Sequence, residues 1–117
     1  MIQPPFEAIR HTFDTTDYWS ASELGVVLGY PLWPDMQIIV QRAMASCTQK
    51  GHDPQDHFNY IVTHYSYTPG GQPYKKEEEY WLSWYACYLI LRIAHQHRPT
   101  SISGSTYFAG HKYRTVH

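Results

Sequence analysis

Nine residues from Ser83 to Leu91, Ser-Trp-Tyr-Ala-Cys-Tyr-Leu-Ile-Leu, form an aromatic and aliphatic run without a single charge. A helix needs about 20 apolar residues to cross a bilayer, so this run is too short to span one. It is expected to be the buried spine of a small soluble domain. A second apolar block, Thr106-Tyr107-Phe108-Ala109, follows near the end of the chain.

The 117 residues are read as one domain, 1–117, long enough to bury an ordinary core without disulfide or metal staples. Eleven Tyr, four Trp and four Phe make an aromatic core, with hydroxyls reaching for polar partners or the rim. A formal net charge of -1 argues against a protein that coats nucleic acid, but not against a local basic patch. The eight His add positive charge only if the pH falls. Cys47 and Cys87 sit in apolar helical patterns and read as buried thiols in a reducing compartment. A disulfide between them is a matter of geometry that the sequence leaves open. No secretory signal precedes Phe6, so a cytoplasmic location is expected.

Asp14-Thr15-Thr16-Asp17 separates two short aromatic or β-branched segments, Ile9 to Phe13 and Tyr18 to Trp19, which predicts a hairpin. Ser20-Ala21-Ser22-Glu23 fits a capping box and predicts a helix of about two turns, with Leu24, Val27 and Leu28 on one side and Gly29 ending it. Pro34 suits the start of a second helix. Its apolar face is Met36, Ile39, Val40, Ala43, Met44 and Cys47, and Gly51 stops it. The pair has the outline of a helix-turn-helix. Phe58 to Tyr67 and Gln72 to Leu82, parted by Pro69-Gly70-Gly71, predict a second hairpin, where a winged domain places its wing. Ser83 then caps a helix from about Trp84 to His95, which Pro99 terminates. A last helix is expected through Phe108 to Tyr113.

Several blocks carry a family likeness. Phe6-Glu7-Ala8-Ile9-Arg10, Tyr18-Trp19-Ser20-Ala21-Ser22-Glu23-Leu24, Leu28-Gly29-Tyr30 and Asp56-His57-Phe58 are four of them. Leu82-Ser83-Trp84-Tyr85-Ala86-Cys87-Tyr88-Leu89 and Thr106-Tyr107-Phe108-Ala109 complete the set. In this order they resemble the N-terminal region of the DNA-damage-inducible protein D family, itself similar to the BRO N-terminal domains of phage and viral regulators. The resemblance implies an α+β, winged helix-turn-helix-like domain with hairpins and about four helices around an apolar central helix. It also implies a non-enzymatic, often dimeric protein associated with DNA binding, acting in the DNA damage response, as a phage antirepressor or in transcription regulation. Three departures weaken the DNA side. Trp84 stands where the family has Arg, His111-Lys112-Tyr113-Arg114 is less basic than the family's final helix, and three Glu follow Lys75-Lys76. Each missing cation weakens phosphate neutralisation.

A DNA surface needs cations and polar side chains on a protruding helix and wing. The candidates are Gln37, Gln41, Arg42 and Lys50 on the second helix, Lys75 and Lys76 on the wing arm, and Lys112 and Arg114 near the end. Duplex DNA is preferred to single strands as the ligand. The rival reading is a dimeric module that binds a regulator, nuclease or host-defence protein, with Glu77, Glu79 and Trp84 as its contacts. The first reading of Glu77 to Glu79 is nevertheless a solvated edge strand, with contact to a basic protein partner second and a metal site last. His52, Asp53, Asp56 and His57 cluster locally but lack a zinc pattern, so no metal or cofactor is expected. No nucleophile is assembled, because Cys87 lies in the apolar run, Ser83 is a cap and Gly70-Gly71 lacks a following Lys. The chain is therefore not expected to be an enzyme.

Overall fold

The computed structural model describes residues 5–97. The expected last helix, with Lys112 and Arg114, lies outside the described residues. The chain runs α1 (Pro5–Ala8), β1 (Arg10–Phe13), β2 (Thr16–Ser20), α2 (Ala21–Leu28) and α3 (Trp33–Gln49). A 3₁₀ turn at Pro54–Asp56 leads to β3 (Phe58–Tyr67), β4 (Pro73–Leu82) and α4 (Trp84–His97). The fold is α+β: four antiparallel strands in the order β1-β2-β4-β3 form one sheet packed with helices. The two expected hairpins are both present. They are joined into that single sheet because Trp19 pairs with Leu82 and Ser20 with Trp81.

The first hairpin turns on Asp14 and Thr15, both with positive φ, 51° and 65°. That is the sense of a type I′ turn, whose twist matches the flanking strands. Helix α2 starts as expected at Ser20, whose Oγ accepts the Glu23 amide at 3.3 Å. The reciprocal half of a capping box is replaced, since the Glu23 carboxylate lies 2.6 Å from His11 Nε2. Gly29 ends α2 with φ 88°, a conformation that costs glycine little. Helix α3 begins one residue before Pro34 and buries Met36, Ile39, Val40, Ala43 and Cys47, as the spacing predicts.

Helices α2 and α3 approach closely because of Gly25. A Cβ there would stand 2.7 Å from the Tyr30 carbonyl oxygen and 3.0 Å from Met36 Cγ. The apolar run lies in α4, where Ala86, Cys87, Leu89, Ile90, Leu91 and Ala94 are buried. Ser83 Oγ accepts the Ala86 amide at 3.1 Å, confirming it as the cap. The core joins these side chains to Phe6, Trp19, Leu24, Phe58 and Leu82. Trp19 is fully buried, and its indole N–H donates to the Phe6 carbonyl at 2.9 Å, which satisfies the polar atom such burial requires.

Both cysteines are buried free thiols. Burial raises the pKa of each, strongly for Cys87, and nearby Asp53 and Asp56 add to the rise at Cys47. No helix among the described residues is long and apolar enough to cross a membrane.

Candidate nucleic-acid interface

Helix α3 turns its apolar stripe inward, so its polar residues face solvent. Gln41, Arg42, Thr48, Gln49 and Lys50 are exposed, with Lys50 at the C-terminal cap. Gln37 sits differently from the other candidates on this helix. It is half-buried, and its amide donates to Glu78 Oε2 at 3.3 Å. The Trp33 indole N–H donates to the same oxygen at 3.4 Å, and Lys76 Nζ lies 3.4 Å from Glu78 Oε1. Glu78 therefore ties the start of α3 to the β3–β4 hairpin.

Burial acts against the Glu78 carboxylate, but hydrogen bonds from Trp33, Lys76 and Tyr60 outweigh it and hold its pKa below the ordinary glutamate value. Lys76 is raised in turn, first by the Tyr60 hydroxyl and then by Glu78, so it stays charged.

The hairpin face beside α3 is aromatic. Tyr60 lies opposite Tyr80, Val62 opposite Glu78 and Tyr65 opposite Lys76. A register shift between Val62 and His64 inserts one extra residue in β3, which returns Tyr65 to the face of Tyr60. Tyr60, Tyr65, Tyr67 and Tyr74 are all exposed, and Lys76 Nζ sits 5.7 Å from the centre of the Tyr60 ring. At the tip the Thr68 amide donates to the Gln72 carbonyl at 2.8 Å, and Gly71 takes φ 84°. Lys75 lies opposite Ser66 in β4.

The acidic run does not behave as one unit. Strand β4 meets β2 only at Trp81 and Leu82, so Glu77 to Glu79 do lie along an open edge among the described residues. Glu77 is exposed. Glu79 instead turns to α2, accepting from Ser20 Oγ at 2.8 Å and from the Ser22 amide at 3.1 Å. Only Glu77 fits a plainly solvated edge. Trp84, the first residue of α4, is half-buried against the core and edge-on to Tyr85 at 5.5 Å.

The His and Asp cluster is a packing corner. Asp53 Oδ1 accepts the Gln55 amide at 2.9 Å and starts the 3₁₀ turn. His57 Nδ1 lies 2.7 Å from Ser83 Oγ, and the His52 and His57 rings pack on Tyr85 at 4.9 and 5.0 Å. Burial and then His52 lower the His57 pKa, against a smaller rise from Asp56. Among the described residues no three of His, Cys, Asp and Glu converge as a metal site requires.

The described family blocks thus lie in a helix pair whose first member Ser20 caps, a long hairpin and a buried central helix. The chain is similar to DNA damage-inducible protein D of Escherichia coli (strain K12). Identity is 33% over 106 residues, 90% of this chain. The aligned part is 38% of that protein, so the chain spans well under half the length of its relative. The resemblance drawn from the motifs is thus borne out. No family model matches the chain, and no solved structure does.

Within that likeness to DNA damage-inducible protein D, the structure brings Gln37, Lys76 and Glu78 together and leaves Gln41, Arg42 and Lys50 along the outer face of α3. Reading the sequence missed Glu78 and Glu79 as the residues that connect the hairpin to the two helices. The available signal was their alternation, which turns neighbouring strand residues to opposite faces.

Proposed function

We propose that this chain is a winged helix-turn-helix-like regulatory domain of DNA-damage-response or phage type that holds duplex DNA as a homodimer. In this reading α2 and α3 are the helix-turn-helix pair, and Gln41, Arg42 and Lys50 enter or flank a groove. The β3–β4 hairpin is the wing, with Lys75 and Lys76 on backbone phosphate. Lys112 and Arg114 add phosphate contacts. The observation that carries this reading is the Glu78 bridge from Gln37 to Lys76, which ties the first turns of α3 to the hairpin. The name of the Escherichia coli relative supports the DNA-damage association.

The test is a titration with duplex and single-stranded DNA at about 50 and about 200 mM salt, since neutralising phosphates makes affinity fall steeply over that range. Duplex binding with a clear salt slope is expected, and Arg42→Ala should reduce the slope by about 1. Absence of binding at low salt overturns the reading. Sedimentation tests the dimer separately, and a monomer at high concentration refutes it.

One observation favours a protein-interaction module instead. Lys76 is paired with Glu78, and Arg10 with Glu7 at 2.6 Å and Asp17 at 3.1 Å, so these two cations are already neutralised. In that reading Glu77, Glu79 and Trp84 contact a regulator, nuclease or host-defence protein.

A further inference from the structure

We propose that the sheet face opposite the helices carries a second binding site, an aromatic cleft with one carboxylate that takes an arginine side chain from a protein partner. Successive side chains of a strand point to opposite faces of the sheet. Trp19 and Leu82 are fully buried towards the helices, so their neighbours Tyr18 and Trp81 turn to the other face. There they continue a stack. His11 lies on Tyr18 with ring centres 5.2 Å apart and planes at 21°, and Tyr18 lies on Trp81 at 4.7 Å and 28°.

Beside this stack opens a cleft of about 200 Å³, bordered by Phe13, Tyr18, Asp56, Asn59 and Trp81. Pockets for whole small molecules are usually about 300–1,000 Å³, so this one suits a single side chain better than a cofactor. Phe13, Tyr18 and Trp81 give it aromatic walls among polar neighbours, and Phe13 is 69% exposed, a large apolar area to leave in water.

Charge selects the occupant. Among the described residues the lining includes Asp17 and Asp56 and no Lys or Arg. Asp17 is already used, accepting from Arg10 at 3.1 Å and from Thr12 at 2.8 Å. Asp56 remains as the carboxylate of the cleft. His57, also in the lining, is held towards its neutral form by burial and by His52, so it adds little positive charge near neutral pH. A phosphate-bearing ligand would meet Asp56, while Arg10, the cation beside Asp17, is already held by Asp17 and Glu7. A guanidinium matches the site on both counts: it stacks flat on indole and phenol rings, and its fork of N–H donors fits a carboxylate. An ammonium offers the charge without the plane.

This site is separate from the α3 and hairpin surface, so it stands or falls independently of DNA binding. The test uses the full 117-residue protein. Acetyl-Gly-Arg-Gly-amide is titrated while the Trp81 indole N–H is followed by two-dimensional NMR, with Trp81→Phe assigning the signal. The lysine and alanine peptides and adenosine are run alongside. A saturable shift with the arginine peptide is expected, weaker with lysine and absent with alanine. Asp56→Asn should weaken binding about tenfold, the scale of a hydrogen bond to a charged group. Phe13→Ala, at an exposed position outside the core, should weaken it about threefold. Both variants should bind DNA as the parent chain does. An equal response to the alanine peptide, unchanged affinity in Asp56→Asn or in Phe13→Ala, or tighter binding of adenosine at the same indole overturns the proposal.

Discussion

Glu79 accepts a hydrogen bond from the Ser20 hydroxyl at 2.8 Å although the two residues are 59 apart in sequence. Ser20 Oγ accepts the Glu23 amide in turn, and the Glu79 carboxylate also takes the Ser22 amide. A carboxylate of β4 thus completes the N-terminal cap of α2, where the first amides of a helix lack partners and the helix dipole favours negative charge.

Removing either partner should therefore weaken the cap. Ser20→Ala is expected to lower stability by about 1–2 kcal/mol, because Ser20 is buried, only 8% exposed, and its loss leaves an amide unsatisfied. Glu79→Gln is expected to cost about 1 kcal/mol. In a double-mutant cycle by urea unfolding the pair should couple by at least about 0.5 kcal/mol. Strict additivity would show that Glu79 does not act through Ser20.

Gly25→Ala tests the contact between α2 and α3. In an exposed helix this change stabilises by about 1 kcal/mol. Here the added methyl meets the Tyr30 carbonyl at 2.7 Å, a backbone atom fixed by its own turn: the Tyr30 amide bonds back to the Gly25 carbonyl at 2.7 Å. Overpacking should dominate, with a net loss of about 1–3 kcal/mol on denaturant unfolding. A stabilised variant would mean the two helices separate easily.

Thr15→Gly should act in the opposite direction. Thr15 holds φ 65° in the β1–β2 turn, a conformation costly for a β-branched side chain. Glycine removes that cost, and a gain of about 1 kcal/mol is expected from the thermal or urea midpoint. The gain should be absent in Thr16→Gly, one residue on, inside β2.

Much of this fold is legible in the sequence because local signals agree with it. Ser20 and Ser83 cap, Gly29 stops α2, and Met36 to Cys47 recur at helical spacing. Phe58 to Tyr67 reads as a strand from its β-branched and aromatic content. The sheet order is not legible, since nothing local tells Trp19 to pair with Leu82. Nor is the division of labour among the glutamates. Glu78 and Glu79 read alike on the page, but alternation sends one to α3 and the other to α2. The extra residue in β3 near Thr63 is equally silent, yet it brings Tyr65 round to the face of Tyr60. The aromatic cleft needed three segments, around Phe13, Asp56 and Trp81, to meet.

Glu78→Gln separates the two functional readings. The carboxylate pairs with Lys76 and accepts from Gln37 and Trp33, so it places negative charge between the proposed helix and wing. If this surface holds DNA, removing that charge should tighten duplex binding severalfold at low salt and steepen the salt slope by up to about 1. Stability should change little, since Lys76 is exposed and solvent screens the pair. Unchanged or weaker DNA binding, measured by anisotropy, would count against the wing.

His57 makes stability depend on pH. Its folded pKa lies below the ordinary value of 6.5, chiefly through burial. Below 6.5 the unfolded chain takes up a proton more readily than the folded one, so falling pH favours unfolding. The contribution is therefore complete above the unfolded pKa and is lost progressively as pH falls towards the folded one. His57→Gln, which keeps a polar partner for Ser83, should flatten this part of the profile between about pH 7.5 and about pH 5. Urea unfolding across that range checks the sign. A His57→Gln profile parallel to that of the parent chain would assign the pH dependence to other groups.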